Sequence, residues 1–128
     1  MKESRDTTPA TDPGPDRGEA APVVEAAAIH KALSHPVRLR IVELLADKVA
    51  FGIADEECCA AAEVCVCRMN DLFDLSSPAL SHHLAILRRI GLVTTRRDGV
   101  RICYRLRPDV LRQLAERLLI LAEKAPGD

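Results

Sequence analysis

Most of the chain is built from stretches in which apolar residues recur at helical spacing, with one short stretch of strand-like alternation near its end. Val23, Ala26, Ala27, Ile29 and Leu33 share one stripe and predict a helix over 22–33. Ser34-His35-Pro36 interrupts it. Ser34 or His35 is placed to cap the next helix, and Pro36 suits a first helical turn. Val37, Ile41, Leu44 and Leu45 then mark a helix over 36–46. Residues 47–64 lose the period and read as a loop, with a short helical turn around 60–63. Met69, Leu72 and Phe73 predict a short helix over 66–73. Leu75-Ser76-Ser77 is a turn with a capping serine, and Pro78 opens a helix over 78–90 that buries Leu80, Leu84 and Leu87. Gly91 ends that helix. Two strands follow, over 92–97 and 100–106, joined at Asp98-Gly99, a two-residue hairpin signal. From Pro108 or Asp109 a last helix carries Val110, Leu111, Leu114, Leu118, Leu121 and Ala122 on its apolar side. Residues 1–20 are rich in Pro, Gly, Asp and Thr without apolar periodicity and read as a disordered tail, leaving one domain over 21–125.

The order helix, helix, short helix, turn, helix, hairpin, helix predicts a mainly α fold with a small β-hairpin, a winged helix-turn-helix. Such a fold lays its second reading helix in the major groove of double-stranded DNA. The candidate DNA contacts on and before that helix are Ser76, Ser77, Ala79, Ser81, His82 and Arg88. On the wing they are Arg96, Arg97 and Arg101. His83 reads as a packed residue.

Composition agrees with helical packing: apolar residues reach 48% but aromatics only 2%, so the core rests on Leu, Val, Ile and Ala. A formal net charge of −1 argues against a nucleic-acid binder until its distribution is seen. Residues 88–107 hold seven arginines against Asp98 alone, a local net charge of +6. Residues 1–28 have a net charge of −3, and residues 47–74 carry seven acids against Lys48 and Arg68. Local charge attracts phosphate, so the basic stretch is the one that counts.

Five cysteines, at 58, 59, 65, 67 and 103, form an odd and clustered set without a leader peptide. That argues for thiol chemistry in a reducing cytoplasm rather than for a secreted disulfide framework. No apolar run approaches the roughly 20 residues that cross a membrane. In a regular helix, residues two apart point about 200° away from each other, so Cys65 and Cys67 share an ion only if the helix start unwinds. Soft thiolates select soft ions. Three sulfurs suit As(III) or Sb(III), and four suit Cd(II), Pb(II) or Zn(II). Cys103, alone on a strand, reads as a small buried hydrophobe.

Leu75-Ser76-Ser77-Pro78-Ala79-Leu80-Ser81-His82-His83-Leu84 resembles the recognition segment of the ArsR/SmtB family of metal-sensing repressors. His35-Pro36-Val37-Arg38, Gly91-Leu92-Val93, Tyr104-Arg105-Leu106 and the box Glu63-Val64-Cys65-Val66-Cys67 are similar to further family segments, in the same order, so the resemblance runs over residues 25–122. It implies a homodimer built on the first and last helices, which binds operator DNA as the apo protein and releases it when Cys65 and Cys67 take a metal or metalloid. Two positions depart from the pattern: Ser77 stands where many members have Gln, and Asn70 where some arsenic sensors have a third Cys. Cys59 or Cys58, upstream on the loop, is then the candidate to complete the site. A second family site uses Asp and His on the last helix. Asp109 is present, but residues 110–128 contain no His.

The reading is therefore a repressor induced by As(III) or Sb(III), with Cd(II), Pb(II) or Zn(II) as alternative inducers. Two other classes stand beside it: a thiol redox regulator in which Cys58 or Cys59 oxidises against Cys65, and a metal buffer without a DNA role. No Ser-His-Asp arrangement, glycine-rich phosphate loop or paired carboxylates point to an enzyme.

Overall fold

A computed structural model describes residues 20–53, 59–60 and 62–127, with side chains from residue 25 on. The expected tail lies outside the described residues except for Ala20, which opens the first helix; Cys58 and the acidic run 55–57 also lie outside them.

Five helices and a three-stranded sheet follow in the order α1 (Ala20–Leu33), α2 (Pro36–Ala46), a 3₁₀ turn (Lys48–Phe51), β1 (Glu63–Cys65), α3 (Val66–Leu72), α4 (Ser77–Arg89), β2 (Val93–Asp98), β3 (Arg101–Leu106) and α5 (Pro108–Lys124). The helix starts have local causes. The His35 ring Nδ1 accepts the Val37 N–H at 3.1 Å and caps α2, with Pro36 in the first turn. Ser76 Oγ accepts the Ala79 N–H at 3.2 Å and caps α4, ahead of Pro78. Helix α4 ends in a Schellman arrangement: Leu92 N–H donates to the Leu87 carbonyl, Gly91 N–H to that of Arg88, and Gly91 takes the left-handed φ of 83° that this turn requires.

One core joins these elements. Ile41 and Leu44 of α2, Met69 of α3, Leu80, Leu84 and Leu87 of α4, and Val64, Leu92 and Val93 around the sheet are all buried together. Arg38, from the His-Pro-Val-Arg segment, binds the pieces laterally. Its Nε donates to the Ala32 carbonyl of α1 at 2.6 Å and its guanidinium to His83 Nδ1 of α4 at 3.2 Å. Helix α5 buries Leu114, while Leu118, Leu119, Ile120 and Leu121 stand exposed in the single chain.

Two sequence expectations are corrected. The segment read as a helical turn around 60–63 ends in strand β1, which pairs antiparallel with β3, so the hairpin is part of a sheet of order β1-β3-β2. Three residues are too short for periodicity to show a strand, and their partner lies far along the chain. The hairpin turn is also displaced by one residue. Asp98 pairs with Arg101, so the two turn residues are Gly99, at φ 64°, and Val100. The glycine supplies the positive φ at the first turn position, where the Asp-Gly reading had put the aspartate.

Candidate metal centre and nucleic-acid interface

Strand alternation sorts the sheet into two faces. Cys65, Cys103 and Arg96 lie in one cross-strand row, and Val64, Tyr104 and Thr95 in the next. Val64 and Tyr104 belong to the hydrophobic core. Adjacent strand residues point to opposite faces, so Cys65, Cys103, Arg96 and Glu63 share the other face. There Cys59 folds over the sheet and is buried with Cys65 and Cys103 in a second cluster, separate from the main core.

Three cysteines therefore meet on one face, and Cys67 of α3 reaches one of them from the helix start. Cys59 is disulfide-bonded to Cys103, with Cα atoms 6.4 Å apart, and Cys65 to Cys67, with Cα atoms 5.4 Å apart. Cys65 is the last residue of β1 and the cap of α3, in extended conformation, and Cys67 lies in the first turn of α3. Cys65 lies outside the helix, so the strand-to-helix break brings the two sulfurs together with α3 beginning at Val66. Cys59 is buried, and its partner is Cys103 rather than the Cys65 expected of a redox regulator. Cys103 is buried, as expected of a strand cysteine, but it is bonded to Cys59 rather than packed as an inert hydrophobe.

The short segment bearing these residues is held firmly. Ala62 takes a φ of 71°, an uncommon conformation for a residue with a side chain, and turns the chain into β1. Around it, the Glu63 N–H donates to the Ala60 carbonyl at 3.0 Å, and the Ala60 N–H to Glu63 Oε1 at 3.3 Å. Lys48 is buried and its Nζ donates to the Glu63 carbonyl at 3.0 Å. The Glu63 carboxylate, itself buried, is gripped by Arg96 of β2: Nη2 donates to Oε1 at 2.8 Å and Nε to Oε2 at 3.0 Å. The hydrogen bond from Arg96 is the main cause that holds the Glu63 carboxyl below the ordinary glutamate range. Burial opposes it, and the positive charge of Arg96 and the Ala60 N–H assist.

The basic face is a different surface. Ser77, Ser81, His82 and Arg88 are exposed along α4, Ala79 is partly covered, and Ser76 is exposed while its hydroxyl serves as the cap. Ser81, Ala85, Arg88, Arg89 and Tyr104 line a shallow depression between α4 and the sheet. Alternation places Arg97 on the Tyr104 face, toward α4, and Arg96 and Arg101 on the cysteine face. His82 is exposed; His83 is buried beside Arg38 and 4.4 Å from the His35 ring. Burial first, then the electrostatic influence of His35, Arg38 and His82, lowers the His83 pKa, which favours the neutral ring that can accept from Arg38. Burial pushes the Tyr104 hydroxyl up, against the pull of Arg88. Asp109 forms an ion pair with Arg107 at 2.9 Å. Among the described residues, no helix is long and apolar enough to cross a membrane.

A family model described as a helix-turn-helix domain matches residues 33–96, half of the chain. The arsenical resistance operon repressor of Staphylococcus xylosus is 34% identical over 103 residues, covering 80% of this chain and 86% of that protein. The chain belongs to the ArsR family of winged-helix transcriptional regulators. Other members are similar too. A cadmium resistance regulatory protein CadC homolog of Staphylococcus aureus is 28% identical, covering 76% of this chain and 69% of that protein. The solution structure of a homodimeric winged helix-turn-helix domain from Mycobacterium bovis, described as from a possible ArsR-family regulator, is 28% identical, has a TM-score of 0.60 and covers 91% of this chain and 94% of that one.

For an ArsR-family chain, the sequence reading placed α4 and the wing within one residue of where the structure has them. It missed Glu63 and Lys48 as buried polar residues, the covering position of Cys59 over Cys103, and the attachment of Arg96 to Glu63 instead of an open wing tip. One signal was available. Cys103, Arg101 and Arg105 alternate with Ile102 and Tyr104, which puts Cys103 on the polar face of its strand.

Proposed function

We propose that this ArsR-family regulator is a homodimeric repressor that binds operator DNA in its reduced apo form and lets go when As(III) or Sb(III) is captured by Cys65, Cys67 and Cys59. The observation that carries the reading is the convergence of Cys65 and Cys67 across the β1–α3 junction, with Cys59 buried against Cys65. Reduced, these three thiols offer a pyramid of soft donors to a thiophilic trivalent ion. An ion held between the end of β1 and the first turn of α3 constrains the angle at which α3 leaves the sheet. Met69 of α3 packs in one core with Leu80 and Leu84 of α4, so a change in that angle reaches the DNA-reading helix. Two sites that demand different arrangements of one element are coupled by a free energy.

Ser77, Ser81, His82 and Arg88 of α4, with Arg97 on the wing, are the proposed DNA contacts. Ser76 and Ala79 hold the helix start, and Arg101 belongs to the wing tip. The partner chain covers the apolar residues that α5 exposes at 118–121. The M. bovis neighbour's homodimeric state supports this arrangement.

The test is fluorescence anisotropy of an operator duplex with reduced protein, titrated with arsenite and separately with Cd(II), for wild type and Cys65→Ser/Cys67→Ser. Release of wild type but not of the variant by arsenite is expected. A duplex that binds and that no ion releases would refute metal sensing, and release by Cd(II) alone would refute the trivalent assignment.

A second reading has its own support: both cysteine pairs stand at bonding separation. In a redox regulator, peroxide would take two electrons and two protons from the Cys59 and Cys103 thiols, giving one disulfide and two waters. Peroxide would then release DNA without any metal, and Cys103→Ala would abolish the response.

A further inference from the structure

The face opposite the core holds a second grouping of donors, which the trivalent reading uses only at Cys59. The Cys59 and Cys103 sulfurs and a carboxylate oxygen of Glu63 all lie within 4.8 Å of one another, and all three residues are buried. Ligand atoms about a tetrahedral ion with bonds of about 2.3 Å stand about 3.8 Å apart, so small movements suffice to seat one once the sulfurs are reduced. The three donors come from separate parts of the fold: the loop before β1, the start of β1, and β3. Glu63 is fixed apart from the two cysteines, by Lys48 on its carbonyl and by Ala60 and Arg96 on its carboxylate.

The charges also match. Two thiolates and a carboxylate carry three negative charges. Arg96 already supplies one positive charge at 2.8 Å, and a divalent ion supplies the remaining two. A soft ion fits this set because thiolates are two of the three donors, and the carboxylate suits a divalent ion better than a trivalent metalloid. Ligation takes the thiolate form, so binding releases the thiol protons to solvent. A carboxylate oxygen has lone pairs enough for an ion and a guanidinium together, so Glu63 can ligate while Arg96 shares it.

We infer that Cys59, Glu63 and Cys103 form a binding site for a soft divalent cation, distinct from the Cys65–Cys67 pair and joined to the wing through the carboxylate that Glu63 shares with Arg96. This site meets the proposed function only at Cys59, which can serve one ion at a time. A divalent ion here and a metalloid at Cys65 and Cys67 therefore compete.

The experiment uses reduced full-length Cys65→Ser/Cys67→Ser protein titrated with Cd(II) alone. Expected are one ion bound per chain with thiolate-to-cadmium ultraviolet absorption, and protection of Cys59 and Cys103 from alkylation while Cys58 stays reactive. In the same background Cys103→Ala abolishes the absorption. Glu63→Gln, which keeps both thiols, weakens binding by about tenfold, the scale at which changes beside a metal are felt. Circular dichroism shows whether each variant folds; should Cys103→Ala unfold, Glu63→Gln and the alkylation pattern decide alone. No absorption in the double-serine protein, protection of Cys58 in place of Cys103, or indifference to Glu63→Gln would each overturn the site. Failure of the trivalent reading shows separately, as wild-type operator binding that arsenite leaves unchanged.

Discussion

Arg96 of the wing strand holds the carboxylate of Glu63, 33 residues earlier, through two of its nitrogens, so the wing is fastened to the strand that leads into Cys65. Glu63 is buried and Arg96 about half exposed. Losing the arginine would leave a buried carboxylate short of its main partner. The pair therefore predicts acid lability. The native Glu63 pKa lies below its ordinary 4.5, chiefly because of the Arg96 hydrogen bond. A lowered native pKa contributes stability that is fully present above the unfolded value and is lost as pH falls through the native one. The melting temperature of wild type should fall more steeply below about pH 4.5 than that of Glu63→Gln. Parallel curves would show that the pair carries no linked stability.

The two wing arginines should behave differently. Arg97 lies on the α4 side of the sheet and Arg96 on the cysteine side. Arg97→Ala is expected to weaken binding to every duplex and to lower the salt slope by about one. Arg96→Ala is expected to leave that slope nearly unchanged and to lower thermal stability instead. Equal slopes for the two variants, measured by anisotropy across a salt series, would contradict the assignment.

His83 gives a second, milder pH dependence. Its native pKa is depressed from 6.5, first by burial and then by its neighbours His35, Arg38 and His82. Protonation would also place a donor at Nδ1 against the Arg38 guanidinium, 3.2 Å away. By the same linkage, stability is complete above about 6.5 and declines as pH falls toward the native value. His83→Gln keeps an acceptor for Arg38 without titrating. Chemical denaturation at pH 7 and pH 5 should show a loss in wild type that the variant lacks.

Leu84 is fully enclosed by the core beneath the reading helix. Leu84→Ala removes buried methyl groups and leaves a cavity, at a cost of about 3 kcal/mol. Urea unfolding at neutral pH measures it, and a loss under about 1 kcal/mol would mean that the core collapses around the gap.

Residues 118–121 of α5 form an apolar run exposed in the single chain, with Leu118 at 47% and Leu121 at 58%. Introducing charge with Leu118→Glu/Leu121→Glu should leave the fold intact and the protein monomeric by sedimentation, with operator affinity reduced as two-site contact is lost. A variant that sediments as a dimer would place the interface elsewhere.

Most of the helices and the wing were legible because their causes are local. The period at Ile41, Leu44 and Leu45, the cap and proline at Ser76 and Pro78, and the glycine at 91 each act within a turn of chain. The 3₁₀ turn after α2 was not, since four residues carry no period, nor was the hairpin tip, which depends on whether Asp98 or Gly99 opens the turn. The cysteine site was half legible. Cys65-Val66-Cys67 is a contiguous signal, whereas Cys59 and Cys103 are 44 residues apart and meet only because β1 joins the sheet beside β3.

By itself the sequence determined the order of the five helices and the hairpin, the apolar faces that drive them together, the basic character of the reading face and the presence of a thiol-rich segment, all carried by short-range periodicity and local charge. The tertiary structure alone decided which face of the sheet each residue of β1 joined. A register with Cys65 opposite Cys103 sends Val64 and Tyr104 into the core and gathers Glu63, Cys65, Cys103 and Arg96 on the other side. A shift of one residue in that pairing would exchange the two faces, and no local pattern in a three-residue strand selects between them.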